Sequence, residues 1–290
     1  MNRLLFLGST CADVILRIPH LPQTGEDLHL LGQQIALGGC AYNAFAAARH
    51  AGHAACTLFS PVGSGIWGDW VRQALAERGI ATPIPPVHAP NGCCYCLVDA
   101  SGERTFLCDR GAEYTFAPAW FQLLGDTPFD GVYLCGLEVE APSGDALLTY
   151  LEHCPPRRLY FAPGPRLCHI PPERMARVFA LHPLVHLNAL EVCQFTRQET
   201  VAAGAGVLAQ VTGGDVVVTL GADGAYILWE ERARQIPGIP ARVVDTIGAG
   251  DAHLGTLMAW EAAGLTLEQA VVHANRAAAA VVSQAGAELR

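Results

Sequence analysis

The segment from Val243 to Ala252 carries the residues best suited to chemistry on a phosphate. Its sequence is VVDTIGAGDA, so Gly248 and Gly250 follow an apolar strand end and Asp251 stands at the start of a helix. Glycines place no side chain between the backbone and an anion, and N–H groups at a helix start attract negative charge. A carboxylate beside such a site is suited to take a proton from an attacking hydroxyl. The segment therefore predicts phosphoryl transfer with Asp251 as the base.

Taken alone, the segment also fits a purely structural role. Gly248 and Gly250 would then make a tight turn, and Asp251 would cap the helix, which aspartate does readily. Which role holds depends on the surrounding elements and on the other polar residues that these elements bring to the segment.

The elements that must position this segment alternate between strands and helices. Continuous apolar runs indicate parallel strands covered on both faces, and they lie at Leu4–Leu7, Cys56–Phe59, Val132–Cys135, Leu159–Ala162, Leu184–Leu187 and Val216–Leu220. Helical patterns lie between and after them, such as Trp67–Gly79, Ala252–Ala263 and Leu267–Val282. The alternation predicts an α/β fold, a three-layer α/β/α sandwich with a mostly parallel central sheet.

Two regions break that alternation. Residues 14–36 are rich in Pro, Gly and His, with short extended stretches between them. Residues 93–109 are typical of a hairpin, with strands Cys93–Val98 and Glu103–Cys108 around the turn Asp99–Gly102. We expect the two regions to form one small β-sheet inside a single domain that covers residues 1–290.

Composition and charge limit the class of protein. The chain has 290 residues, 51% of them hydrophobic, which is ample for one large core. Its net charge of −9 argues against sequence-independent nucleic-acid binding, which needs a basic surface. No apolar run reaches the ~18–20 residues of a bilayer span, and the N-terminus lacks a signal-like pattern. We expect a small-molecule partner, with no nucleic acid and no membrane.

The cysteines favour a reducing compartment. There are 11 of them, an odd number without the spacing of a disulfide framework, which indicates free thiols. We therefore expect a cytoplasmic protein.

More polar motifs follow strand ends in a fixed order along the chain. They are LLFLGSTCAD ending in Asp13, GGCAYN ending in Asn43, NALE from Asn188 to Glu191, and TLGADG from Thr219 to Gly224. Together with DTIGAGD ending in Asp251, they resemble the ribokinase-like (PfkB) carbohydrate and nucleoside kinases over roughly residues 4 to 287. An ordered set is far more specific than any one of its motifs.

The resemblance implies a kinase of ribokinase-like fold that uses ATP, with its site spread over these motifs. It assigns the acceptor to Asp13, Gly38, Gly39, Asn43, Arg104 and Glu138. It assigns the base to Asp251 and the anion site to the N–H groups of Gly248, Ala249 and Gly250. It assigns the nucleotide and its phosphates to Asn188, Glu191, Thr219, Gly221, Gly224 and Asn275.

The same resemblance implies cations and a partner. Mg²⁺ would be held through water by Glu191, and a potassium ion near Asp245 is left open. The small sheet would be a lid over the acceptor, and because such lids pair in the family, we expect a homodimer through the lid. Relatives usually continue into a final helix, which we expect this chain to lack after Arg290.

Departures from the family pattern bear on the acceptor. Cys11 stands where ribose-specific members have Asn, Cys40 where they have Lys, and Ala162 where many have an acid, so ribose is doubtful. The lid segment GERTF resembles fructose- and ketodeoxygluconate-type kinases, in which Arg104 would meet an anionic sugar or lie in solvent. A nucleoside or pseudonucleoside acceptor stays open.

Three other signals have a structural alternative. Gly63–Gly68 reads G-x-G-x-x-G but lacks the ribose-binding acid expected about twenty residues further on. Cys93 and Cys96 have a C-x-x-C spacing, but no second pair completes four zinc ligands, and only Cys108 across the hairpin would change this. His253 follows Asp251 closely, and packing or solvation is its expected role.

Two other functions are weighed against the kinase. A nucleotide- or sugar-sensing protein on the same scaffold would be expected to lose its base first, whereas Asp251 and its glycines are intact. A metal hydrolase would need clustered Cys and His ligands, which the sequence does not show. The chain also has no Walker A motif, so the phosphates must be bound in another way.

Overall fold

The computed structural model describes residues 2–100, 102–284 and 286. In this part of the chain the strands are β1 (Leu4–Leu7), β2 (Cys11–Arg17), β3 (Gly32–Gly38), β4 (Cys56–Phe59), β5 (Cys93–Val98), β6 (Arg104–Asp109), β7 (Gly131–Cys135), β8 (Arg158–Ala162), β9 (Leu184–Asn188), β10 (Val216–Thr219), β11 (Ala225–Trp229) and β12 (Arg232–Ile236). The helices are α1 (Cys40–His50), α2 (Gly65–Glu77), α3 (Gly136–Glu140), α4 (Gly144–His153), α5 (Pro172–Phe179), α6 (Ala189–Thr196), α7 (Val201–Thr212), α8 (Ala249–Ala262) and α9 (Leu267–Val282).

The main sheet has eight strands in the order β12-β11-β10-β9-β8-β7-β1-β4. Its strands run parallel from β4 to β10, and β11 and β12 add an antiparallel edge that the sequence patterns did not predict. β12 carries exposed polar residues, so it has no apolar run to reveal it. The predicted α/β sandwich with a mostly parallel sheet is confirmed.

The strand β1 shows how the two outer layers are built. All four of its residues are buried, because successive side chains point to opposite faces of the sheet. Leu4 and Phe6 join the core that α1, α2, α8 and α9 cover. Leu5 and Leu7 join the core beneath α4 to α7. A continuous apolar run therefore marks a strand with helices on both faces.

The small sheet has the order β3-β2-β5-β6, and the two predicted regions do form it. β2 begins at Cys11 and β3 ends at Gly38, so Asp13 and Gly38 belong to the sheet rather than to its flanks. The predicted β6 began one residue too early, because the backbone and side chain of Asp99 bond the Glu103 backbone into the turn. Ser101 of that turn lies outside the described residues.

A buried glutamate ties the β5–β6 hairpin to the main body. Glu113 is 1% exposed, and its carboxylate accepts the N–H groups of Gly92 at 2.8 Å and Gly111 at 2.9 Å. Gly92 precedes β5 and Gly111 follows β6, so the Glu113 side chain fixes both the entry to the hairpin and the exit from it. Among the described residues, no helix combines the length and apolarity that crossing a bilayer requires.

Candidate active site

The glycine turn predicted to hold phosphate leads directly into α8. Gly248 precedes the helix with φ +71°, a left-handed conformation that glycine adopts without strain. The Ala252 N–H donates to the Gly248 carbonyl at 2.8 Å, so the helix begins at Ala249, three residues before the predicted start. Apart from its chain neighbours and the backbone of its own helix, a Cβ on Gly250 would meet no described atom within 4 Å. The turn thus leaves open space at the positive end of a helix.

Asp251 lies in the first turn of α8 and is held by two side chains from other elements. Asn43 of α1 donates its Nδ2 to Oδ2 at 3.1 Å. The hydroxyl of Tyr133 in β7 donates to Oδ1 at 3.2 Å. Burial raises the pKa of Asp251 to about 6, and both hydrogen bonds oppose that rise. The carboxylate is therefore fixed in orientation and has the pKa of a general base for neutral solution.

Tyr133 is the site residue that sequence patterns missed. It is fully buried within the run Val132–Cys135, and its ring stacks on Phe6. In the sequence it reads as one more apolar strand residue, so no motif or spacing singles it out. A buried tyrosine hydroxyl usually finds a hydrogen-bond partner. The presence of a tyrosine in a strand that ends at the site was therefore the only signal in the sequence that this residue contacts the site.

The predicted acceptor residues come together at the junction of the small sheet and α1. The charges of Asp251 and Asp245 help to raise the pKa of Asp13 to about 7, after burial as the main cause. Glu138 is fully buried, accepts the Ser9 N–H at 2.8 Å, and has its pKa raised by burial to about 7. Among the described residues, Asn43 Oδ1 and Glu138 Oε2 have no hydrogen-bond partner. Buried polar atoms left in this state indicate a place for a polar ligand.

The glycine pair before α1 allows this close approach. A Cβ on Gly38 would lie 2.0 Å from Asp13 Oδ2, and one on Gly39 would lie 2.5 Å from the Ser9 carbonyl oxygen. Gly39 also has φ +100°, which side chains rarely allow. Gly39 is therefore required by the backbone at Ser9 and Thr10, whereas Gly38 leaves room for the side chain of Asp13.

Arg104 of β6 contacts the segment that holds the base. Its Nη2 lies 2.9 Å from Asp245 Oδ1, and its Nη1 donates to Thr246 Oγ1 at 2.6 Å. The Asp245 carboxylate also accepts the N–H groups of Ile247 at 2.8 Å and Gly286 at 3.1 Å. The small sheet is thus joined through Arg104 to the glycine turn.

The predicted nucleotide-side residues lie at the ends of β9 and β10. Asn188 and Glu191 form a reciprocal capping box at the start of α6, with side chain to backbone distances of 2.8 and 2.9 Å. The charge of Glu191 is the smallest contribution to the raised pKa of Asp251, after burial. Thr219 ends β10, and Gly221 follows with φ +62°.

The remaining two predicted nucleotide residues serve internal contacts. Gly224 has φ +93°, and a Cβ there would lie 2.1 Å from the Ile236 carbonyl oxygen. Asn275 is buried and donates to the carbonyls of Ile236 and Pro237 at 3.3 and 3.0 Å. Its Oδ1 lies 3.1 Å from Nε2 of His253, whose other ring nitrogen contacts the buried His186 at 2.9 Å. His253 is thus packed in the core, and of the two expected roles, packing and solvation, the structure shows packing.

A family model for the pfkB family of carbohydrate kinases matches residues 1–289. The chain belongs to the PfkB family. This kinase is therefore a phosphotransferase with an alcohol group as acceptor. It is 33% identical over 294 residues to the uncharacterized sugar kinase YegV of Escherichia coli, and the matched residues cover 98% of this chain and 89% of that protein.

Other relatives of the kinase agree with this placement. The ribokinase of Staphylococcus aureus is 26% identical over 298 residues, covering 99% of this chain and 95% of that protein. In fold, the kinase is similar to the ribokinase of Thermotoga maritima, with a TM-score of 0.85 at 21% identity over 99% of this chain and 95% of that one. It is also similar to aminoimidazole riboside kinase from Salmonella enterica, with a TM-score of 0.76 at 23% identity over 99% and 95% of the two chains.

Proposed function

We propose that this kinase transfers the γ-phosphoryl group of ATP to a primary hydroxyl of a sugar or sugar-like acceptor, with Asp251 as the base. The observation that carries the proposal is the carboxylate of Asp251 at the open start of α8. Hydrogen bonds from Asn43 and Tyr133 hold it there, and burial brings its pKa to about 6. A base with that pKa is mostly ionised at neutral pH and is stronger than an ordinary aspartate.

The acceptor would bind between the small sheet and α1. Asp13 and Glu138 supply carboxylates that accept hydrogen bonds from sugar hydroxyls, and the free Oδ1 of Asn43 accepts another. Asn43 also donates to Asp251, so a single side chain would contact both the bound acceptor and the base. This arrangement would place one acceptor hydroxyl beside Asp251.

In the transfer itself, the acceptor oxygen forms a bond to the γ-phosphorus while the bond from that phosphorus to the ADP oxygen breaks. The hydroxyl proton moves to Asp251, and ADP leaves with the electron pair of the broken bond. The N–H groups of Gly248 and Gly250 at the helix start would hold the oxygens of the transferred group, joined by that of Ala249 once it gives up its 3.3 Å bond to the Thr246 carbonyl. Closure of the small sheet, the proposed lid, would keep water away from the phosphate.

The residues on the nucleotide side fit a divalent cation. Glu191 and Asp251 are carboxylates whose charges disfavour each other, and a hard cation with oxygen ligands relieves such repulsion. Mg²⁺ held through water by Glu191 would neutralise charge on the triphosphate. No described group of three or more His, Cys, Asp or Glu side chains forms a metal site of its own.

Potassium near Asp245 stays a prediction, and the protein's own groups already surround that carboxylate. Arg104 and the N–H groups of Ile247 and Gly286 contact its two oxygens. A homodimer through the lid and a cytoplasmic location also stay predictions. The small sheet exposes Ile35 and Leu107 in one row of paired residues, so they share a face that a second lid would cover.

The first test is ADP release from Mg·ATP against a panel of ketoses, aldoses, sugar acids, phosphosugars and nucleosides, with and without potassium. The D251A variant serves as the blank. We expect one acceptor class to raise turnover well above that blank. If ATP binds but no acceptor raises turnover, a sensing role replaces the kinase; if the acceptor is a nucleoside, the sugar proposal is wrong.

Tyr133 offers a test of how the base is held. Replacing it with phenylalanine removes a hydrogen bond to the carboxylate, which is worth about 1.5–3 kcal/mol for a charged acceptor. Because that bond lowers the pKa of Asp251, its loss raises the pKa, and activity is lost at a higher pH as the pH falls. We expect the acid limb of kcat/KM in Y133F to move upward by about one pH unit.

The matched control for Y133F is Y160F. Tyr160 is the register partner of Tyr133 in β8, is also buried, and donates to Glu261 at 2.9 Å away from the site. We expect Y160F to keep the wild-type pH profile, whatever it does to stability. Equal shifts in the two variants would show that Tyr133 acts on packing alone.

A further inference from the structure

Two cysteines of the small sheet face each other across neighbouring strands. Cys94 of β5 is the register partner of Cys108 in β6, and their Sγ atoms are 3.5 Å apart. Cys108 is exposed and Cys94 is partly buried. The pair is therefore open to small molecules from solution, unlike the buried Cys11, Cys93, Cys96 and Cys135.

The positions of these cysteines suit a disulfide without rearrangement of the sheet. Directly opposed residues of an antiparallel pair have Cα atoms about 4.5–5.5 Å apart. Disulfides span Cα distances of about 4.4–6.8 Å, so the backbone already lies in the required range. Only the sulfur atoms must approach, from 3.5 Å to a bond of about 2.05 Å.

The charges around Cys108 favour its thiolate. Arg110 lies 2.9 Å from Glu140, and Arg166 also bonds Glu140 through its Nε at 2.6 Å. Two guanidinium groups therefore share one carboxylate, which leaves a positive charge for the thiolate to balance. The hydrogen bond from Cys94 and then the charges of Arg110 and Arg166 lower the pKa of Cys108 to about 6, against the effect of burial. Of the two thiols, Cys108 is therefore the one suited to act as a nucleophile.

The pair also lies beside the proposed acceptor site. Asp13 of β2 is the register partner of Cys94, so Asp13, Cys94 and Cys108 form one row across the sheet. The charge of Cys108 contributes to the raised pKa of Asp13, after burial. A change at the two sulfurs therefore reaches the carboxylate that is proposed to bind the acceptor.

We propose that Cys94 and Cys108 form a reversible disulfide when a hydroperoxide reaches the small sheet. The Cys108 thiolate attacks one peroxide oxygen, an S–O bond forms and the O–O bond breaks, which gives a sulfenic acid. The leaving hydroxide takes up from solvent the proton that the Cys108 thiol had released and departs as water. Cys94 then attacks that sulfur, the S–O bond breaks, and a second water leaves with the proton of Cys94. Two thiols and one hydrogen peroxide thus become one disulfide and two waters, and a dithiol reverses the reaction.

The disulfide acts on acceptor binding, and this part rests on the proposed function. Bond formation draws the sulfur atoms of Cys108 and Cys94 together by about 1.5 Å, while the backbone of the sheet keeps its place. The side chain of Cys94, the register partner of Asp13, therefore moves, and the thiolate charge of Cys108 that acts on Asp13 is lost. Small displacements in a site are costly. Oxidation raises the KM for the acceptor several-fold and leaves the KM for ATP unchanged, because the nucleotide side lies on other elements.

The closing experiment treats the native protein with hydrogen peroxide, blocks the remaining thiols, and maps cross-linked peptides by mass spectrometry. We expect a peptide pair that joins Cys94 to Cys108, lighter by two hydrogens than the sum of its parts. Alkylation of Cys108 should have a pH midpoint near 6, and C94A should raise it because the hydrogen bond is lost. C168S is the control, since Cys168 is the other exposed cysteine and should be irrelevant to the cross-link.

The outcomes separate this inference from the kinase proposal. Peptide mapping and alkylation need no acceptor, so they stand even if the panel of sugars and nucleosides fails. Oxidation of Cys108 to a sulfinic acid with Cys94 still free would overturn the proposal that the two cysteines form a disulfide. A mapped disulfide with an unchanged acceptor KM in the oxidised enzyme would overturn the effect on binding. Both the disulfide and its effect on binding are supported if dithiothreitol restores the acceptor KM of the oxidised wild type and of oxidised C168S. C94A, which cannot form the disulfide, should show no such dithiothreitol-dependent change in KM.

Discussion

The D251N variant is expected to lose about 10²–10⁴-fold in kcat, the usual effect of removing a general base. Asparagine keeps the size of the side chain and can still contact Asn43 and Tyr133, but its amide cannot take the acceptor proton. The KM for ATP should stay close to the wild-type value, because Asp251 is not proposed to bind the nucleotide. The measurement is steady-state ADP release with the best acceptor of the panel.

The control for this variant is E261Q. Glu261 lies near the end of the same helix and also accepts a hydrogen bond from a buried tyrosine, Tyr160, at 2.9 Å. It is remote from the glycine turn, so E261Q should keep kcat even if its contact with Arg158 is weakened. Turnover by D251N at the wild-type level would remove Asp251 from the mechanism, whereas an equal loss in both variants would indicate general damage to α8.

The G255A variant is expected to disturb the packing that holds the site together. A Cβ on Gly255 would lie 2.0 Å from the carbonyl oxygen of Ala44 and 2.8 Å from its Cα, so α8 and α1 must move apart. Asn43 precedes Ala44, and Asp251 lies one turn before Gly255, so the separation acts on their 3.1 Å hydrogen bond. We expect a stability loss of about 1–3 kcal/mol from overpacking.

The same change should reduce activity more than stability alone explains. A displacement of about 1 Å between catalytic groups can cost about 10²-fold in rate, so kcat should fall while most of the protein is still folded. Denaturant unfolding and kcat measured on the same preparation separate the two effects. An unchanged free energy of unfolding together with an unchanged kcat would show that the helices adjust without cost.

G206A is the matched control for G255A. Gly206 lies in the middle of α7, and apart from its chain neighbours and the backbone of its own helix, a Cβ there would meet no described atom within 4 Å. Its φ is not positive, so alanine fits the helix and should stabilise the protein by about 0.4–1 kcal/mol. If G255A lowers the free energy of unfolding and G206A raises it, the loss in G255A comes from the contact between α1 and α8 and not from the change of glycine to alanine as such.

Several elements were predictable because their signals are local. The predicted runs Leu4–Leu7, Cys56–Phe59 and Cys93–Val98 coincide with β1, β4 and β5. The helix Leu267–Val282 was also predicted with its observed bounds, and Thr266 and Gln269 form a capping box at its start. Apolar runs and caps act over a few residues, so the sequence shows them without knowledge of the fold.

Other boundaries depended on contacts that no local pattern encodes. The helix α8 starts before its apolar stripe because the glycine turn itself accepts the first helical hydrogen bond. The edge strand β12 exists because β11 provides a partner, although its own residues are mostly exposed and polar. In both cases the backbone hydrogen bonds outweigh what the side chains indicate.

By itself, the sequence determined the family to which the chain belongs, and it predicted the chemistry of the glycine turn and of the acid that follows it, because these depend on residue types in a fixed order. Tertiary structure decided which side chains control that acid. Tyr133 reaches Asp251 across 118 positions, and Arg104 reaches Thr246 across 142. Cys94 meets Cys108 only because β5 and β6 pair in one register. Such contacts follow from strand order and register, which are fixed when the whole chain buries its apolar faces together.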